Sequence, residues 1–299
     1  MFEDIPSFKN WLKIEKINRG YSSEQKFYIE THDHQRLILR ISDIANYEQK
    51  KKEFEVIQKF FGLGFLMSKP IEIGICNNSQ HVYLLLSWID GNDLEIELPK
   101  LSQEMQYTLG RKAGEILKKI HSLEVSASDI PQTTKIQKKI RQIELYENSS
   151  LRISGDEIAL DFVKKNIFSI WSKPPVYLHG DFHPGNLILT ENKEIGVIDF
   201  NRYEIGDPYE EFNKLESFGT EVSIPYCIGQ IDSYFNNQVP NDFWEILAIY
   251  VAHTSLYSIK WAESYGLEEI RTMTSICRKS FAHYNDFKSI IPSWYPQKN

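Results

Sequence analysis

Short stretches in which apolar residues stand together or alternate with polar ones recur through the first part of the chain, at Ile14–Ile17, Phe27–Glu30, Arg36–Ile41 and Val82–Trp88. Runs of this length, rich in β-branched and aromatic residues, predict strands. One helical stretch interrupts them near Asn46–Phe61, where Tyr47, Phe54, Ile57 and Phe61 carry the apolar face. From Leu101 onward the period changes. Leu109, Ala113, Ile116, Leu117, Ile120 and Leu123 form a helical stripe, and Gly110 and Gly114 permit a close neighbour. Residues 126–172 are polar and lysine-rich and predict a helical insertion, whose charge run at Lys135, Lys138, Lys139 and Arg141 reads as a solvated face. After Asp207 the pattern is helical again. Pro240-Asn241-Asp242 predicts a cap for a helix from Phe243 through Glu263, with Trp244, Leu247, Tyr250, Val251, Thr254 and Tyr257 as its core side. Strands first and helices afterwards predict an α+β fold.

Composition narrows the partners. With 41% hydrophobic content, 299 residues can build one large or two medium cores. Forty-one acidic residues against 34 basic ones give a net charge of -7, which argues against nucleic acid and suits a cationic small molecule. Cys76, Cys227 and Cys277 are too few and too scattered for a disulfide framework or a zinc site, so a reducing, cytoplasmic setting is expected. The opening Met1-Phe2-Glu3-Asp4 has no basic leader character, and no apolar run approaches a membrane span. No internal repeat or low-complexity tract is visible.

The densest chemistry lies in Val176-Tyr177-Leu178-His179-Gly180-Asp181-Phe182-His183-Pro184-Gly185-Asn186-Leu187-Ile188-Leu189, followed thirteen residues after Asn186 by Asp199 in Gly196-Val197-Ile198-Asp199-Phe200. Asp181 would orient and deprotonate a substrate hydroxyl, while Asn186 and Asp199 would hold Mg²⁺ against nucleotide phosphates. Apolar runs on both sides of the loop predict short strands that fix its ends, and Pro184-Gly185 predicts a turn within it. Earlier in the chain, Asn18 to Gln25 offers a turn glycine followed by Ser22 and Ser23, whose backbone N–H groups could wrap over phosphates. The same stretch also fits an ordinary hairpin turn.

His179-Gly180-Asp181 through Asn186 resembles the catalytic loop of the aminoglycoside phosphotransferase family, small-molecule relatives of protein kinases. Ile198-Asp199-Phe200 is similar to that family's metal-binding segment, and Gly206-Asp207-Pro208 to a further signature of it. The resemblance implies a protein-kinase-like two-lobed fold. Residues 1–88 would form a small antiparallel sheet lobe with one helix that binds nucleotide, and 89–299 a larger, mainly helical lobe for catalysis and the acceptor. It implies an ATP- or GTP-dependent O-phosphotransferase with Mg²⁺ as cofactor, moving the γ-phosphoryl group to a small molecule. An aminoglycoside leads among acceptors, with antibiotic resistance following from that choice. Macrolides, choline, homoserine, methylthioribose and fructosamine-like amines stay open. Nucleotide and acceptor would be the only partners, with no nucleic acid, no membrane, and a monomer or weak dimer.

The same resemblance assigns roles in the first lobe. Arg40 stands where such enzymes place a phosphate-pairing lysine, with Glu53 as its helix partner and Glu48 and Glu55 as rivals. Ser87-Trp88-Ile89 resembles the hinge, where adenine would meet backbone groups from Ser87 to Ile89. Glu210, Glu211, Glu216, Glu263, Glu268 and Glu269 are available to hold a cationic acceptor, with Glu211, Glu263 and Glu268 chosen as contacts. Asp207 reads as structural, holding the catalytic loop. Two readings from other classes stay open: a metallohydrolase built on His179, Asp181 and His183, and a nucleotide-binding pseudokinase.

Overall fold

The alternation near the amino terminus becomes a five-stranded antiparallel sheet in the computed structural model, which describes residues 2–18 and 24–296. Its strands are β1 (Trp11–Ile17), β2 (Gln25–Thr31), β3 (Arg36–Asp43), β4 (Pro70–Cys76) and β5 (His81–Ser87), in the order β1-β2-β3-β5-β4. Strand β4 is an addition to the sequence expectation. It opens on proline and carries Glu72 and Gly74, a pattern compatible with its place at the sheet edge. The period of two separates the faces. Phe27, Ile29, Leu37, Leu39, Ile41, Tyr83 and Leu85 gather on one side with Ile5, Trp11 and Cys76, and Phe2 and Phe8 pack against this cluster. Lys26, Arg40 and Ser42 alternate with those residues and take the other face. Helix α1 (Tyr47–Phe61) lies against that second face and turns Lys50 and Glu53 inward beside Phe54, Ile57 and Phe60.

The chain divides into two compact units, Met1–Leu94 with Asn186–Arg202, and Glu95–Gly185 with Tyr203–Asn299. In the first unit, the later segment supplies a hairpin, Leu187–Leu189 against Ile195–Val197, whose first strand also pairs with Asn92–Asp93. The hairpin is tied down by Val197 N–H donating to the Leu66 carbonyl at 2.9 Å, and Phe200 packs on Phe60.

Helices dominate the second unit: α2 (Gln103–His121), α3 (Ile136–Glu147), α4 (Glu157–Asn166), α5 (Ile224–Tyr234), α6 (Asn241–Trp261) and α7 (Leu267–His283). Ser102 caps α2 by accepting from Met105 N–H. Gly110 and Gly114 do admit a close neighbour, because a Cβ at either position would collide with the carbonyl oxygens of Tyr226 and Gln230 on α5. Helix α6 is buried along most of its length and packs with α3, α4 and α7. Its expected Asn/Asp cap does not form: Pro240 occupies the cap position, while Asp242 sits in the first turn and pairs with Lys173 at 2.5 Å. The charge run on α3 is also revised. Lys139 is buried, donates to Glu210 Oε1 at 2.6 Å and lies over the Tyr250 ring, so this cation belongs to the interior. Among the described residues no helix is long and apolar enough to cross a membrane.

Candidate active site

Asp181 belongs to the second unit, on the loop leaving the strand Val176–Leu178, which pairs with Glu204–Gly206. The loop's shape is set by backbone donors meeting side chains. Gly180 takes φ +81°, a conformation that favours glycine. Its N–H donates to Glu211 Oε2 at 3.1 Å, and the Phe182 N–H donates to Glu211 Oε1 at 3.2 Å. Two histidines add local turns: His179 Nδ1 accepts from Asp181 N–H and His183 Nδ1 from Gly185 N–H, both at 3.2 Å. The fully buried His179 is thereby a structural residue of the loop.

The Asp181 carboxylate is itself flanked by Lys214 and His183. Lys214 Nζ lies 2.8 Å from Oδ1 and His183 Nε2 3.7 Å from the same oxygen, while the Asp181 side chain is 17% exposed. Burial pushes its pKa up, but His183 and Lys214 outweigh burial and hold the carboxyl well below the usual range. Lys214 was not singled out in the sequence. Its spacing of three from Glu211 on a helical segment was the available signal, since residues so placed share a face.

Asn186 and Asp199 belong to the first unit. Ile198 N–H donates to the Asn186 carbonyl at 3.1 Å, so the open end of the hairpin sets the two candidate metal ligands near one another. Asp199 adopts φ +63°, a left-handed conformation in which a short polar side chain is better tolerated than a branched one. Its Oδ2 meets Lys26 Nζ at 3.2 Å; its Oδ1 is buried and meets no hydrogen-bond donor among the described residues. Hard carboxylate and amide oxygens, one of them buried with lone pairs to spare, fit a Mg²⁺ ion. Among the described residues no group of three His, Cys, Asp or Glu side chains is arranged to hold a metal.

Arg40 and Glu53 are brought together, Nη1 to Oε1 at 2.7 Å, and of the three candidate glutamates Glu53 is the partner. Two unanticipated residues complete the arrangement. Glu24 Oε2 accepts from Arg40 Nε at 2.9 Å and Nη2 at 2.5 Å, and Lys50 binds both Glu24 and Glu53, the latter at 2.6 Å. Two cations and two anions thus close a buried square, to which Ser42 donates a hydroxyl hydrogen bond at 2.9 Å. Burial opposes ionisation of Glu24, yet Arg40 and Lys50 hold its pKa down at about 2.

The hinge candidates divide. Ser87 N–H donates to the Lys69 carbonyl and Trp88 N–H to the Arg36 carbonyl, so both donors are engaged within the unit. Ser87 Oγ accepts from Lys69 N–H at 2.8 Å, and Ile89 is buried against Gly196. Ser22 and Ser23 lie outside the described residues.

Among the acceptor candidates, Glu211 needs correction. It is 2% exposed and its two oxygens serve the Gly180 and Phe182 N–H groups, so it braces the catalytic loop and offers no open face to an acceptor. Burial raises its pKa, but His121, His179 and the loop N–H outweigh burial and lower it overall. Glu210 is held by Lys139, and Glu216 by His283 and the Trp294 indole N–H. Glu263 neighbours Lys260 after the end of α6, and Glu268 stands exposed in the first turn of α7. Asp207 is structural, as expected, but its partners differ. It accepts from Trp171 N–H, Tyr209 N–H and the Tyr250 hydroxyl, leaving the loop to Glu211.

A sheet unit carrying an Asn/Asp pair and a helical unit carrying a braced His-Gly-Asp loop define a protein-kinase-like phosphotransferase of small molecules. The sequence profile of the phosphotransferase enzyme family matches residues 13–242, and the chain belongs to that family. An aminoglycoside 3'-phosphotransferase of Niallia circulans is 23% identical over 209 residues, covering 68% of this chain and 76% of that protein. Wild-type aminoglycoside 2'-phosphotransferase-IIIa in its GDP complex superposes with TM-score 0.68 at 14% identity, over 93% of this chain and 95% of that one. The streptomycin–ATP–APH(2")-IIa ternary complex gives TM-score 0.64 at 19% identity, over 91% and 93% of the two chains. At these identities the structural likeness concerns the fold.

Proposed function

We propose that this chain is an ATP- or GTP-dependent O-phosphotransferase that moves the γ-phosphoryl group to a hydroxyl of a small cationic molecule, with aminoglycosides as the first class of acceptor. The observation that carries the reading is Asp181, kept ionised by Lys214 and His183 on a loop braced by Glu211. A carboxylate this acidic is a weak base at neutral pH. It positions the acceptor hydroxyl by accepting its hydrogen bond, and takes the proton late, as a loose phosphoryl transition state permits. Asn186 and Asp199 would hold Mg²⁺, which when bound neutralises charge on the nucleotide's terminal phosphates.

In functional terms residues 1–88, joined by Asn186 and Asp199 of the same unit, carry nucleotide recognition, and the remainder of 89–299 carries catalysis and the acceptor. With Glu210, Glu211 and Glu216 engaged and Glu263 paired with Lys260, the exposed Glu268 is the first candidate for the acceptor's cationic groups. Support for an amino sugar comes from the acidic balance of the chain and from the relatives named above, which include a streptomycin–ATP complex and a GDP complex. The metallohydrolase reading loses its main ligand, since His179 is spent within the loop. The deciding experiment incubates the purified protein with Mg·ATP or Mg·GTP and a panel of amino sugars, amino alcohols and neutral polyols, followed by mass spectrometry. The addition of one phosphoryl group to an amino sugar is expected. Transfer only to neutral or anionic acceptors would reject the cationic-substrate reading.

A further inference from the structure

We propose that Lys26 on β2, not Arg40 on β3, is the side chain that pairs with the nucleotide's phosphates, Arg40 having become an internal anchor. This rests on the nucleotide-dependent reading above. Arg40 has little left to offer: it is 3% exposed, and its Nε, Nη1 and Nη2 all point at carboxylate oxygens 2.5–2.9 Å away. Lys50 shares the same two carboxylates, so the square is electrically closed. A phosphate approaching Arg40 would compete with two anions already in place, in an interior where separating them is costly.

Lys26 is placed differently. It stands directly opposite Arg40 in the β2–β3 ladder, so its side chain leaves the same face of the sheet. Its ammonium reaches 3.2 Å from Asp199 Oδ2, the candidate metal ligand, and its side chain is 15% exposed. One ammonium facing one carboxylate that itself sits at the metal position is a point charge next to where the phosphates must lie. The flexible lysine stem lets its three donors follow phosphate oxygens without breaking the buried square. Lys26 is the second residue of β2, which follows the stretch of sequence that offers backbone N–H groups to phosphates. The charge that the resemblance assigns to β3 is thus carried one strand across the sheet, while the salt bridge to the helix glutamate stays on β3.

The test measures calorimetric affinities for Mg·ATP, Mg·GTP, adenosine and guanosine, with melting temperatures, for the wild type, Lys26→Met, Lys26→Arg and Arg40→Lys. Lys26→Met should weaken binding of the preferred triphosphate by about tenfold or more, equivalent to about 1.4 kcal/mol. Its affinity for the matching nucleoside and its melting temperature should stay near wild type, and Lys26→Arg should recover part of the loss. Arg40→Lys should melt lower than wild type and keep most of its triphosphate affinity. Triphosphate binding by Lys26→Met equal to wild type, or an equal loss of nucleoside and triphosphate affinity, would overturn the assignment. A wild-type protein that binds neither triphosphate would remove the phosphotransferase reading itself, and this inference with it.

Discussion

The two units each gather charge, and they use it in opposite ways. In the first, Glu24, Arg40, Lys50 and Glu53 meet one another away from solvent, cations equal to anions. In the second, Asp181 is also mostly buried, but it is a single carboxylate between Lys214 and His183 on a loop whose backbone is already fixed by Glu211. The square has all its partners inside the protein. Asp181 stands on a loop whose backbone other residues hold in place. Glu211 and Arg40 carry structural load, each with its polar atoms held by partners inside the protein.

Substitutions should separate the two kinds of charge. The largest effect is expected at Asp199: Asp199→Ala should lower kcat by about three orders of magnitude and weaken Mg·nucleotide binding in calorimetry, with folding intact by circular dichroism. Tight Mg·nucleotide binding by this variant would remove it from the ligand set. Next comes Arg40→Met, which strands two buried carboxylates against one lysine. Breaking such an arrangement costs about 3–5 kcal/mol, and at roughly 2–4 °C per kcal/mol the melting temperature should drop on the order of 10 °C. An unshifted melting curve would mean the square is not holding the sheet to α1.

A smaller effect should appear on acidification. The pKa of Glu24 is about 2 in the folded protein against an ordinary 4.5, so its contribution to stability is present above that ordinary value and is lost as pH falls from about 4.5 toward 2. Urea midpoints measured across this window should fall, and the Glu24→Gln variant should show a shallower fall than wild type. Equal slopes would place the acid sensitivity elsewhere.

Much of this architecture was legible before the structure. Alternation located β1, β2, β3 and β5, the helical period located α1 and α2, and Gly110 with Gly114 announced the contact with α5. The loop chemistry was local, so eight consecutive positions were enough to point to Asp181 and Asn186. What stayed hidden depends on contacts far apart in sequence. Lys26 and Asp199 are separated by 173 residues, and Lys139 and Glu210 by 71. Nothing in a lysine's own neighbourhood says that it will be drawn inward by a distant carboxylate. Glu211 misled for a related reason: an acidic side chain in an acceptor-bearing region resembles a ligand contact until the N–H groups of Gly180 and Phe182 are seen to occupy it. Strand β4 was missed because its proline, glutamate and glycine dilute the apolar pattern that an edge strand needs less.

The most direct test is the turnover of Asp181→Asn beside wild type, with Mg·ATP or Mg·GTP and an amino-sugar acceptor, and nucleotide affinity measured in parallel. The substitution keeps the side chain's shape and removes its charge. The expected result is a fall in kcat by about 10² or more with nucleotide affinity nearly unchanged. A variant that transfers phosphate at close to the wild-type rate would contradict the assignment of the chemistry to Asp181.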